Sequence, residues 1–204
     1  MSVSVSSVPR PRGGEKRARA RGFTLTELLI TVAIMGILAT ISIALVRRLA
    51  FASDVVEAQS TLRGITVAQE RYRSLNQVYL DVSSSPGNAA QGWYPVDLVA
   101  PNQKVRFLNT THADYAPVGR RGWRHLNVPA ERPVEFVYKV NAGLPTTLIT
   151  SVALATTALT LDINAPTEPW YVAQARADAD GDGILCVLVS ASYSPVVRVL
   201  NDGE

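Results

Sequence analysis

The chain has a single cysteine, Cys186, and two histidines, His112 and His125, in 204 residues. One thiol excludes an intramolecular disulfide and leaves the redox compartment open. Cys186 sits in the apolar run from Ile184 to Val189, where a buried, inert thiol is expected. Neither histidine has a metal-ligand spacing with it. No Gly-rich phosphate loop and no nucleophile elbow occur. These absences leave no constellation for zinc, phosphoryl-transfer or nucleophilic chemistry, and the chain reads as a non-enzyme.

Charge is also scarce, at 18 % of residues, and unevenly placed. The first 22 residues hold Arg10, Arg12, Lys16, Arg17, Arg19 and Arg21 against Glu15 alone, a net of +5. The other residues carry −2, so the basic balance belongs to this arm, and the body gives no reason to expect nucleic-acid binding. A basic arm ahead of an apolar helix stays on the cytoplasmic side.

What is abundant is apolar residues, 47 % of the chain, with a large share between Phe23 and Val46. That stretch of 24 residues has one charge, Glu27, one glycine, Gly36, and no proline. As a helix it would reach ~36 Å, enough for a bilayer core of ~30 Å. Arg47 and Arg48 end it. A cleaved secretory signal is one reading, with Ala50-Phe51-Ala52 as the small-x-small site. Against it, the apolar run exceeds the usual ~7–15 residues, and two arginines precede the site. A plain single-pass anchor is another, but such an anchor has no need of Glu27.

A third reading rests on Arg21-Gly22-Phe23-Thr24-Leu25-Thr26-Glu27-Leu28-Leu29. Here the chain resembles the prepilin family, the type IV pilins and type II secretion pseudopilins. Their shared motif is a basic leader ending in Gly, then Phe, then Glu at the fifth residue after the cut, then an apolar helix. The resemblance implies cleavage between Gly22 and Phe23, N-methylation of Phe23, and filament assembly through Glu27. The physics of Glu27 supports this. A carboxylate in hydrocarbon costs roughly 2.5–3.5 kcal/mol on insertion scales and needs a partner. Cleavage exposes an α-amine on Phe23, and staggered helices let one copy's carboxylate reach another's amine. The competing reading is a Glu that snorkels to water. The leader, at 22 residues, is longer than in many type IVa pilins, and Ala44 stands where many pilins carry a helix-kinking proline.

Beyond the arginines, Phe51, Val55, Ala58, Leu62, Ile65, Ala68 and Tyr72 recur at helical spacing. Asp54, Glu57, Gln59, Arg63, Gln69, Glu70 and Arg73 occupy the other side. The periodicity predicts one helix from about Phe23 to Leu75, apolar all round at first and striped later. The stripe wants a sheet to cover it, with a coiled-coil seam as the alternative. Residues 76–133 read as an irregular helix-to-sheet loop, pinned by Trp93, Tyr94, Phe107, Tyr115 and Trp123. A carbohydrate-binding face on Trp93 and Trp123 is the sharper alternative. Asn109-Thr110-Thr111 is formally a glycosylation sequon.

Strands are expected at 134–140, with Asn141-Ala142-Gly143 as the turn after it, then within 146–161, and at 170–177, 184–190 and 195–200. Asp178-Ala179-Asp180-Gly181-Asp182-Gly183 matches the first half of a calcium loop, with Asp178, Asp180 and Asp182 as ligands. The bidentate acid of the twelfth position is missing, since Val189 stands there, and a plain Asp/Gly turn between strands competes with calcium.

The organisation that follows is a cleaved basic leader (1–22), a transmembrane and assembly half-helix (23–46), an amphipathic half-helix (47–75), the loop region (76–133), and an antiparallel sheet with a C-terminal tail (134–204). The fold class is α+β: a long N-terminal helix packed on an antiparallel sheet of about four strands. The resemblance implies a type IV pilin, major or minor, made as a single-pass precursor in the bacterial inner membrane and then assembled into an extracellular pilus. It implies as partners a prepilin peptidase and methyltransferase, an inner-membrane assembly platform, and copies of itself and other pilins in a filament. A type II secretion pseudopilin and a non-polymerising, membrane-anchored periplasmic binding module are the alternatives.

Overall fold

The computed structural model describes residues 23–85, 87–101, 103–130, 132–147, 153–155, 166–178 and 181–201. The order of elements is α1 (Leu25–Asn76), β1 (Val105–Arg106), α2 (Trp123–Leu126), β2 (Pro133–Val134), β3 (Val137–Gly143), β4 (Trp170–Ala177), β5 (Cys186–Ala191) and β6 (Ser194–Leu200). The chain divides into two compact units, one up to Ile43 and one from Ala44 onward.

In the first unit, α1 starts where the sequence supplies a cap. The Thr24 hydroxyl accepts the Glu27 amide hydrogen at 3.2 Å, satisfying one of the helix's unpaired first-turn donors. From Phe23 to Ile43 every side chain is exposed. Leu25–Ile43 is long and apolar enough to cross a membrane. Its hydroxyls close onto their own helix: Thr31 donates to the Leu28 carbonyl, Thr40 to Ile37 and Ser42 to Leu38, all within 2.8 Å. Such back-bonding hides the polar groups that hydrocarbon would penalise.

The second unit has an α+β core. β3-β4-β5-β6 form a four-stranded antiparallel sheet in sequence order, and β1 pairs with β2 beside it. The apolar stripe of α1 lies in the core as its spacing requires. Val55, Ala58, Leu62, Ile65 and Ala68 are buried, and Phe51 and Tyr72 pack at its ends. Alternate residues of the strands meet it: Tyr138 and Val140 from β3, Tyr171, Ala173 and Ala175 from β4, Cys186 and Leu188 from β5. The stripe is thus covered by a sheet in the chain's own fold, as the sheet reading requires.

Gln69 departs from the pattern. It belongs by spacing to the polar side, yet it is fully buried. Its amide donates to the Leu80 carbonyl at 2.7 Å and accepts the Leu80 amide hydrogen at 2.9 Å. The side chain thereby acts as one rung of a ladder for the returning chain, and burial of a polar group is tolerated because both ends are paired.

The strand reading of 134–140 needs a correction. Val134 pairs with Val105 in the small sheet, and the main strand begins at Val137. Asn141-Ala142-Gly143 is not a turn but the end of β3, opposite Val172, Tyr171 and Trp170. Two contacts hold it extended. The Asn141 amide donates to Asp81 and to the Ser83 carbonyl. At Gly143 an added Cβ would lie 2.4 Å from the Trp170 ring, so only glycine lets the indole lie across the strand. β4 coincides with the expected 170–177, β5 runs one residue further than expected and starts at Cys186, and β6 starts at Ser194. Of the expected strand within 146–161, residues 146–147 and 153–155 lie outside any strand, and the rest lie outside the described residues.

The second face of the sheet is covered too, over β3 by Trp93 and Val99 and over β4 and β5 by Leu154 and Ala155. Trp93 and Val99 pack on Val137. Lys139, a polar position in the alternation, is fully buried there. Its ammonium donates to the Ser85 and Asn88 carbonyls at 2.8 and 2.7 Å. Arg176 beside it donates to the Ala89 and Asp97 carbonyls, with its guanidinium 4.2 Å above the Trp93 ring. The loop is therefore fastened by cations reaching its backbone as well as by apolar contacts.

Burial, with Arg176 nearby, pulls the Lys139 ammonium down to about 8. An unfolded lysine titrates near ~10.4, so between these values the unfolded chain binds more protons and stability rises with pH. Tyr79 is pushed the other way, up to about 12, chiefly by burial. Above the ordinary tyrosine value of ~10 the unfolded chain loses its phenolic protons first, and stability falls. Thermal unfolding in detergent is expected to show a melting temperature that climbs above pH ~8 and turns down past pH ~10. Lys139→Met is expected to abolish the climb; an unchanged slope in that variant would assign it elsewhere.

Candidate functional site

The motif residues gather at the start of α1. Phe23 is 77 % exposed and lies just before the helix. Gly22 lies outside the described residues. Glu27 sits three residues after the cap Thr24, in the first turn. A carboxylate there is favoured by the unpaired amides and dipole of the helix start. Thr24-x-x-Glu27 is also a capping-box spacing, a signal that the motif reading passed over. Among the described residues the Glu27 carboxylate has neither an ion pair nor a hydrogen bond. It is thus an exposed acid on an otherwise apolar helical surface.

The other candidate residues are placed differently. Trp93 and Trp123 are 0 % and 3 % exposed, so a carbohydrate platform on them is ruled out. They are core: Tyr94 stacks on Trp123 with ring centres 4.8 Å apart, and Phe107 meets both edge-on. This is the pinning expected of the loop aromatics. The Asn109 amide is committed within its own loop, donating to the Pro95 carbonyl and accepting from the Thr111 amide and hydroxyl. Cys186 is buried, as expected of a thiol in an apolar strand.

Asp178 and Asp182 lie in the β4–β5 connection, and Asp180 lies outside the described residues. Asp178 accepts the Gly181 amide hydrogen at 2.9 Å, and Asp182 accepts that of Ile184 at 2.6 Å. Gly181, at φ +81°, takes the left-handed conformation that such a reversal asks of glycine. Among the described residues no group of three His, Cys, Asp or Glu side chains is placed to hold a metal ion.

The N-terminal segment finds its match among known proteins. The family model for the prokaryotic N-terminal methylation motif matches residues 17–43, which include Gly22, Phe23 and Glu27. In this segment the chain is similar to the type IV pilins. The chain is 40 % identical over 73 residues to the type IV major pilin protein PilA of Myxococcus xanthus (strain DK1622). That stretch covers 36 % of this chain and spans about a third, 33 %, of the curated relative. No solved structure matches the chain.

Proposed function

We infer that the chain is a type IV pilin, made as an inner-membrane precursor and assembled through α1 into an extracellular filament. Cleavage falls between Gly22 and Phe23, a methyltransferase modifies the new Phe23 amine, and Glu27 pairs with that amine on a neighbouring copy. The observation that carries this reading is the Glu27 carboxylate, unpaired among the described residues, at the start of the apolar, exposed stretch of α1 up to Ile43. Hydrocarbon penalises such a charge by roughly 2.5–3.5 kcal/mol, and a cation at the same depth removes the penalty. The relative's description as a major pilin favours a pilus over a secretion pseudopilus.

The test is the mature N-terminus. Mass spectrometry of protein from cells with an active processing peptidase is expected to find N-methyl-Phe23 as the first residue. A chain that still begins at Met1, or one that begins at Ser53, would overturn the reading.

A further inference from the structure

A groove of about 660 Å³ runs between the outer flank of α1 and the β5–β6 hairpin, inside the ~300–1,000 Å³ range of small-molecule sites. Gln59, Arg63, Val67 and Glu70 line it from the helix, and Ser192 and Ser194 from the hairpin. Its acid and its base are not equivalent. Glu70 accepts the Tyr79 hydroxyl hydrogen at 2.8 Å, and that hydroxyl in turn accepts from Arg73 at 2.9 Å. Glu70 is thus tied into a network that already holds a cation. Arg63 is exposed and, among the described residues, has no hydrogen bond and no ion pair. The Ser194 hydroxyl is likewise unbonded among the described residues. The Ser192 hydroxyl accepts the Tyr171 amide hydrogen at 3.2 Å and keeps its own hydrogen to donate.

These groups set the class of ligand. A guanidinium without a partner calls for an anion, and it pairs best with a planar carboxylate through two parallel N–H bonds. The formal charges of Arg63 and Glu70 cancel across the lining, so a doubly charged phosphate gains little there. The serine hydroxyls and the Gln59 amide supply both donors and acceptors, which match a ligand rich in hydroxyls. Val67 and Val196 are 69 % and 63 % exposed, and the Tyr193 ring beside them is 44 % exposed. They give the groove an apolar surface on which the C–H face of a sugar ring can lie. One carboxylate, many hydroxyls and an apolar ring face are the features of a uronic acid. We propose that this groove binds an acidic saccharide, with a uronate carboxylate on Arg63 and sugar hydroxyls on Gln59, Ser192 and Ser194. The site is separate from the buried Trp93 and Trp123, and it does not rest on the filament reading above.

The test is calorimetric titration of the full chain in detergent with three probes. Cellobiouronate is a disaccharide with one carboxylate, cellobiose is its neutral counterpart, and acetate is the carboxylate alone. Cellobiouronate is expected to bind about tenfold or more tighter than either of the others, and less tightly as salt is raised. Arg63→Ala is expected to erase its advantage over cellobiose while the melting temperature stays level, because Arg63 is exposed and holds nothing in the described fold. Val67→Glu sets a second acid against the sugar carboxylate and is expected to weaken cellobiouronate more than cellobiose. Absence of saturable cellobiouronate binding would overturn the saccharide site, as would equal binding of cellobiose or of acetate. An Arg63→Ala or Val67→Glu chain that keeps the full preference for cellobiouronate would overturn it too. Each of these results leaves the filament reading standing, since that reading is tested at the mature N-terminus.

Discussion

Replacing Glu27 with Ala is expected to leave the protein inserted in the membrane and to reduce its filaments about 100-fold or more. The acid is exposed and, among the described residues, unpaired within one copy, so its loss removes only its favourable interaction with the start of α1. Insertion should improve, because a charge at membrane depth is costly and alanine is not. Assembly should fail for the opposite reason. In the proposed bundle the Phe23 amine of a neighbour would stay charged and would then face hydrocarbon alone. Breaking one side of a buried ion pair costs roughly 3–5 kcal/mol, and each 1.4 kcal/mol is about tenfold. Quantitative blotting of sheared and membrane fractions checks both halves. Normal filament yield would show that the carboxylate does not set assembly, and poor insertion would show that it acts earlier.

The second large effect is expected at Gln69. Gln69→Leu keeps the size of the side chain while removing both hydrogen bonds to Leu80. The Leu80 amide and carbonyl are then buried without partners, at about 1–3 kcal/mol each. A total near 3 kcal/mol lowers the melting temperature of a chain this size by roughly 6–12 °C. Thermal unfolding of the purified protein in detergent measures it. A fall of under about 2 °C would mean that the returning chain finds other partners.

Gln69 also shows where the sequence stops being readable. Hydrophobic spacing placed the α1 stripe correctly because burial of Val55, Ala58, Leu62, Ile65 and Ala68 depends on helix geometry alone. β4 was legible because the strand formers Trp170, Tyr171 and Val172 open it and Pro169 and Asp178 bracket it. Gln69 and Lys139 were not legible, because each is buried only by virtue of partners contributed by distant loop backbone. Backbone carbonyls carry no sequence signature. The ending of β3 failed likewise: Asn141-Ala142-Gly143 has turn composition, but tertiary contacts to Asp81 and Trp170 outweigh local preference. The candidate site divides the same way. Gly22, Phe23 and Glu27 stand out by spacing, whereas the burial of Trp93 and Trp123 depends on partners far apart in the chain.

The back-bonded hydroxyls of Thr31, Thr40 and Ser42 have a consequence for partner choice. Each has spent its hydrogen on its own backbone, so none is left to select a preferred side of the helix for a neighbour. Van der Waals fit among aliphatic side chains permits many azimuths and many axial offsets of similar energy. Directional information in this stretch is thereby concentrated in one carboxylate, and a slip of one turn between neighbours would strand that group ~5.4 Å from its cation. A greasy rod with a single polar tooth is free to slide until the tooth engages.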